Sequence, residues 1–226
     1  MNEIILNAIP FEPDAQALLS EMRIQEDSDH AGEFLQLLAA ARRIARPKAV
    51  YRMAYVDGRG EDSVWIEGVR LDSRVLAVNL REVERIFPYI ATCGVELEGW
   101  AQTLDDMLAR FWADAILETA LYTAIETLKR HLEACYHPGQ LAYMNPGSLE
   151  DWPISQQREL FSLFSPPEAS IGVRLTPSHM MVPIKSVSGI RFPTQTSFES
   201  CMLCPRQACP NRRTAYDPLL YAARYG

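Results

Sequence analysis

The stretch from Leu104 to Leu132 constrains the fold more than any other part of the chain. Leu104, Met107, Leu108, Phe111, Ala115, Leu121, Ala124, Ile125, Leu128 and Leu132 recur at helical spacing. The spacing predicts one long helix, N-capped by Thr103, with Asp105 and Asp106 in its first turn and an end near Glu133. Its apolar stripe is broad, so the helix is expected to pack on two sides. At 226 residues the chain can bury one sizeable core around it, or one core with a small appendage.

The rest of the pattern mixes helices with short β-rich runs. Residues 14–23 and 33–46 read as helices, the second ended by Pro47. Residues 49–56 and 64–71 read as two strands of a hairpin joined by Asp57-Gly58-Arg59-Gly60. Residues 74–80 suggest a strand or a lead into a helix around 82–87, and Cys93 is expected in a loop. From His137 the texture turns to loops at 137–139, 145–148 and 151–153. A short helix over 155–164 follows, then strands at 171–175 and 180–184, with 186–189 turning into 190–192. Helices before, between and after hairpin strands predict an α+β domain rather than a parallel sheet. We divide the chain at residue 192: a domain over 1–192, its first 46 residues helical, and a cysteine-rich tail over 193–226.

Composition excludes more than it identifies. Apolar content of 48% and charged content of 23% are ordinary for a soluble protein, and a net charge of −7 argues against nucleic acid. No apolar run approaches the ~20 residues needed to span a bilayer. The N-terminus lacks a basic segment before its apolar residues, so a cytoplasmic location is expected. Phosphate loops, nucleophile elbows and HExxH motifs are missing. The acidic pairs Glu61/Asp62, Asp105/Asp106 and Glu150/Asp151 read as solvated faces or caps, and His179 as a hydrogen-bonded structural residue. His131, Cys135 and His137 fit a helix C-terminus that favours a cationic imidazole.

Three of the five cysteines fall within nine positions: Cys201-Met-Leu-Cys204-Pro-Arg-Gln-Ala-Cys209-Pro210. Two thiols three apart can turn inward on one loop and share a metal, and a third closes the set. Cys followed by Pro suits an iron–sulfur centre, paired thiolates suit zinc, and reduced structural cysteines are the third reading. Cys93 is the candidate fourth ligand, with Cys135 second. Arg206, Arg212 and Arg213 form the only conspicuous basic patch; they either hold an anionic partner or balance thiolate charge.

Two further segments carry a resemblance. Trp152-Pro-Ile-Ser-Gln-Gln-Arg-Glu-Leu-Phe161 and the pattern Leu175, Thr176, Ser178, Met181, Pro183 and Ser186 to Gly189 resemble the reactivation domain of cobalamin-dependent methionine synthase. Ala91 to Glu98 and Ala113 to Ile116 are similar to further parts of it, so the likeness covers roughly residues 45–192. It implies a twisted antiparallel sheet flanked by helices, a site for S-adenosylmethionine, and docking on a corrinoid-binding protein or methyltransferase, where cob(II)alamin is reductively methylated. By resemblance the ligand-binding residues are Tyr143, Pro146, Gly147, Ser148, Thr176, Ser178, Ser186 and Ser188. The family's loop reads approximately Arg-x-x-Pro-Gly-Tyr, yet Tyr143 stands at the Arg position and Ser148 at the Tyr position. A Tyr cannot make the two charge-assisted bonds of an Arg fork, each worth about 1.5–3 kcal/mol. The cysteine tail lies beyond the resemblance. With cob(II)alamin hard to reduce and zinc redox-inert, an iron–sulfur centre in that tail fits an accessory that delivers electrons to cobalt.

Overall fold

The computed structural model describes residues 3–209 and 211–226. Pro210 of the cysteine segment lies outside the described residues. The chain is α+β, with a curled antiparallel sheet of eight strands flanked by helices.

The sheet is organised around β6 (Arg85–Thr92), buried along almost its whole length. On one side β6 pairs first with β2 (Lys48–Tyr51) and then with β3 (Ala54–Arg59). On the other it pairs with β10 (Ser186–Pro193), which pairs in turn with β7 (Leu141–Met144). β1 (Ile4–Leu6) extends the sheet beyond β2; β4 (Ser63–Ile66) and β5 (Val69–Asp72) extend it beyond β3. A separate hairpin pairs β8 (Arg174–Leu175) with β9 (Met181–Val182).

Several elements differ from the pattern reading, each for a local reason. The run 64–71 is two strands, because Glu67 and Gly68 both adopt positive φ (48° and 82°), the requirement of a tight hairpin turn. The run 49–56 likewise breaks at Arg52 and Met53, where the Arg52 guanidinium turns to Glu67. The helix expected around 82–87 is instead the start of the central strand, where Ile86, Phe87 and Ile90 are fully buried. Burial on both faces overrides local propensity there. Residues 186–189 do not turn; they run straight on as the first half of β10. β7 lies where loop signals dominate the sequence.

The first two helices are α1 (Ala15–Glu21) and α2 (Asp29–Ile44), capped by Asp14 and Ser28. A short α3 (Arg74–Asn79) follows β5. Thr103 is not the cap of the long helix. It closes a separate α4 (Val95–Gln102), its hydroxyl donating to Trp100 O at 2.7 Å. Asp106 caps α5 (Met107–Tyr136), accepting from Ala109 N at 2.7 Å. Ala124, Leu128 and Leu132 of α5 pack on the sheet face formed by Ala49, Tyr51, Phe87, Tyr89 and Ala91. Nearer its start, Trp112, Ile116 and Ala120 pack with α1, α2 and α4. Two short helices, α6 (Gln157–Ser162) and α7 (Pro167–Ile171), and a C-terminal α8 (Leu220–Arg224) complete the chain.

The opposite sheet face carries the largest core, which includes Ile66, Leu76, Ile190, Phe192 and Trp152. Phe198 and Tyr225 belong to the same core, and the Tyr225 hydroxyl donates to Asn79 at 3.0 Å. The segment after residue 192 is therefore folded against the sheet, which fixes the cysteine loop beside β7.

Candidate functional site

Two motifs more than forty positions apart in sequence meet at the pairing of β7 with β10. Arg191 is the direct cross-strand partner of Tyr143. Immediately after β7, Asn145 donates through Nδ2 to Tyr89 Oη at 2.8 Å and to Ser188 O at 2.7 Å. Gly189 makes this possible: a Cβ there would lie 2.3 Å from Asn145 Nδ2 and 2.4 Å from Met144 O. The Asn-Pro-Gly loop and the Ser-Val-Ser-Gly strand thus interlock through one amide and one missing side chain.

Charge and aromatic faces alternate at this junction. The Arg191 guanidinium lies 5.3 Å from the Tyr89 ring centre and 5.2 Å from that of Tyr143. Arg213, from the tail, lies 4.9 Å from the Tyr143 ring. Burial pushes the Tyr143 hydroxyl up to about 12, with Arg213 opposing and Glu199 adding to the shift. Arg213 Nε sits 3.1 Å from Glu199 Oε2, an ion pair without hydrogen-bond geometry. Arg191 is 4% exposed, and its Nε is buried without a hydrogen-bond partner.

The remaining residues named by resemblance divide into three places. Pro146 and Gly147 form the turn after Asn145; Gly147 has φ 82°, and its N–H donates to Trp152 O at 2.7 Å. A Cβ on Gly147 would fall 2.8 Å from Ile154. Ser148 lines a cavity of about 470 Å³, shared with Asp151, Cys204, Tyr216 and Tyr221. Thr176 and Ser178 belong to the β8–β9 hairpin, their hydroxyls 3.0 Å apart, with Thr176 Oγ1 accepting from Met180 N. Ser186 donates to Pro183 O at 2.7 Å and lies 2.9 Å from Thr92 Oγ1. Ser188 Oγ accepts from the buried Gln157 at 3.3 Å. These hydroxyls are engaged within the fold. Asp151, read as part of a solvated acidic pair, instead accepts from Ser73 Oγ and from Arg74 N and Val75 N at 3.2 and 3.0 Å, anchoring the start of α3.

The cysteine loop has a different organisation. Cys201 lies in a 3₁₀ turn (Ser200–Leu203), and Cys204 N donates to Cys201 O at 3.3 Å. The Arg212 guanidinium fills the loop: it donates to the carbonyls of Cys201, Cys204 and Thr214 at 3.1, 3.0 and 3.2 Å, and to that of Arg206. Cys201, Cys204 and Cys209 are free thiols of intermediate exposure. Among the described residues no three Cys, His, Asp or Glu side chains converge on a point that could hold a metal ion. Cys93 lies, as expected, in the connection between β6 and α4, and it does not join the loop thiols. It is fully buried among α2, α4 and α5, where burial, with Glu98 adding, pushes its thiol up to about 12. Cys135 is exposed near the end of α5, 3.6 Å from His131 Nε2. The thiols as placed do not fit a four-thiolate centre.

No protein-family model matches the sequence, and no characterised protein matches it. Among solved structures the chain is similar to the MetH reactivation domain bound to AdoHcy, at 15% identity and a TM-score of 0.61. The match covers 88% of this chain and 81% of that one. The likeness is one of fold. No helix among the described residues is long and apolar enough to cross a membrane.

Arg191, Arg213 and Asn145 are the site residues that the motif reading missed. Arg191 had a visible signal: a charge between Ile190 and Phe192, which strand alternation sends to the sheet face opposite theirs. Arg213 stood out only as part of the basic patch, because the path of the tail is what brings it to Tyr143.

Proposed function

We propose that the chain is an accessory protein of a corrinoid-dependent methyltransferase system. It docks on a corrinoid-binding partner and supports reductive reactivation of the partner's cobalt, with S-adenosylmethionine as the methyl donor. The observation that carries this reading is the fold match to a reactivation domain over most of both chains. The AdoHcy in that neighbour and the interlocked junction of Tyr143, Asn145, Ser188 and Gly189 favour an adenosyl amino acid as the ligand. The role assigned to this chain is positional. β7 and β10 form the floor of the ligand site, and Pro146 and Gly147 shape the backbone above it.

The iron–sulfur component of the role rests on the spacing of Cys201, Cys204 and Cys209, and no step of the proposal runs through a cluster. Metal and sulfide analysis of protein purified without oxygen separates three states of the loop: iron with sulfide, zinc as a structural knuckle on a non-enzymatic docking module, or no metal.

The test of the function is reconstitution. A cobalamin-binding module of methionine synthase carrying cob(II)alamin is mixed with this chain, a low-potential reductant and adenosylmethionine. Methylcobalamin formation that needs the chain, together with a complex seen by sedimentation, is the expected result. Neither a complex nor methylcobalamin at high micromolar protein would end the proposal.

A further inference from the structure

Four partly buried cations face a carboxylate. Lys48 pairs with Glu96 at 2.8 Å, Arg52 with Glu67, Arg74 with Glu61 and Asp62, and Lys185 with Asp114 and Glu118. Arg191 is more buried than any of these, has no ion pair among the described residues, and its Nε is buried without a hydrogen-bond partner. Two tyrosine rings flank it, at 5.3 and 5.2 Å, an aromatic contact that attracts the cation and supplies no counter-charge. Burying an unpaired charge is costly, and a group kept in that state calls for an anion that arrives from outside.

The position of Arg191 identifies that anion. It lies directly across the ladder from Tyr143, where the resemblance expects an arginine. An arginine on β10 reaches the same space as one on β7, with the tyrosine moved to the opposite strand. We infer that Arg191 is the carboxylate-binding residue of the ligand site, gripping the amino-acid end of an adenosyl amino acid from β10. The inference rests on the adenosyl-ligand reading above and adds to it the residue and the end of the ligand that it holds.

Two probes separate the two claims. Calorimetric titration uses S-adenosylhomocysteine, which carries the carboxylate, and 5′-methylthioadenosine, which lacks it. Wild-type protein is expected to bind both. Arg191→Met should weaken the first about ten- to a hundredfold, the loss of charged hydrogen bonds, and leave the second within about threefold. The double variant Tyr143→Arg/Arg191→Tyr should recover S-adenosylhomocysteine binding to within about tenfold of wild type. Arg191→Met should also raise the melting temperature of the ligand-free protein, because it removes an uncompensated buried charge. Equal loss of both ligands, or a lower melting temperature, would show that Arg191 is structural. Unchanged affinity for S-adenosylhomocysteine overturns the assignment alone, whereas a wild-type protein that binds neither probe overturns the ligand reading beneath it.

Discussion

The β7–β10 junction and the cysteine loop sit on neighbouring segments and have opposite characters. At the junction residues from two distant segments, Asn145, Ser188, Gly189, Tyr143 and Arg191, are held in register to within hydrogen-bond or stacking distance. In the loop three cysteines are conspicuous, yet their thiols do not converge and an arginine occupies the middle. Spacing along the chain limits which side chains can meet; strand register decides which do. A ligand site built on a paired ladder inherits the rigidity of the sheet, while a loop site depends on whatever fills it.

The largest effect that tests this contrast is at Trp152, fully buried in the main core beneath the Asn145–Ser148 turn. Trp152→Ala should cost about 3–5 kcal/mol in urea denaturation. Replacing both Cys201 and Cys209 by serine should change stability by less than about 0.5 kcal/mol. A serine variant as damaged as Trp152→Ala would mean that a bound metal holds the loop, and the contrast would fail. Next in size is Gly189→Ala, where the new methyl meets Met144 O and the Asn145 amide; a loss of about 1–3 kcal/mol is expected by the same method. A neutral result would show that the junction is loose. Tyr225→Phe removes the hydrogen bond to Asn79 and should cost about 1 kcal/mol, measuring how firmly the tail is tied to the core.

The smallest effect is a pH dependence. Burial holds the Tyr143 hydroxyl up to about 12 in the folded protein, against about 10 for an unfolded tyrosine. The folded state therefore favours the neutral phenol. That contribution is intact below pH ~10 and is lost as pH rises toward 12, because the unfolded chain releases its proton first. Tyr143→Phe should show a shallower fall in denaturation midpoint over that interval than wild type. An identical alkaline limb would mean that Tyr143 is open to water.

The α+β class and the long helix were legible in the sequence. Helical periodicity survives without knowledge of partners. The central strand was not legible: Arg85 to Thr92 carries local signals for a helix start, and only burial on both faces makes it a strand. The turn at Glu67-Gly68 was hidden inside an apolar run because Glu is an uncommon residue at positive φ. The loop position of Cys93 was legible, but its full burial under three helices is a tertiary fact. Arg213 became part of the junction through the course of the tail, which no local pattern encodes.

The most direct measurement is a crystal structure of the protein with S-adenosylhomocysteine. The ligand is predicted at the β7–β10 junction, its carboxylate within hydrogen-bond distance of the Arg191 guanidinium. Ligand lodged instead in the cavity of Ser148, Asp151 and Cys204, with Arg191 still unpaired, would contradict the account.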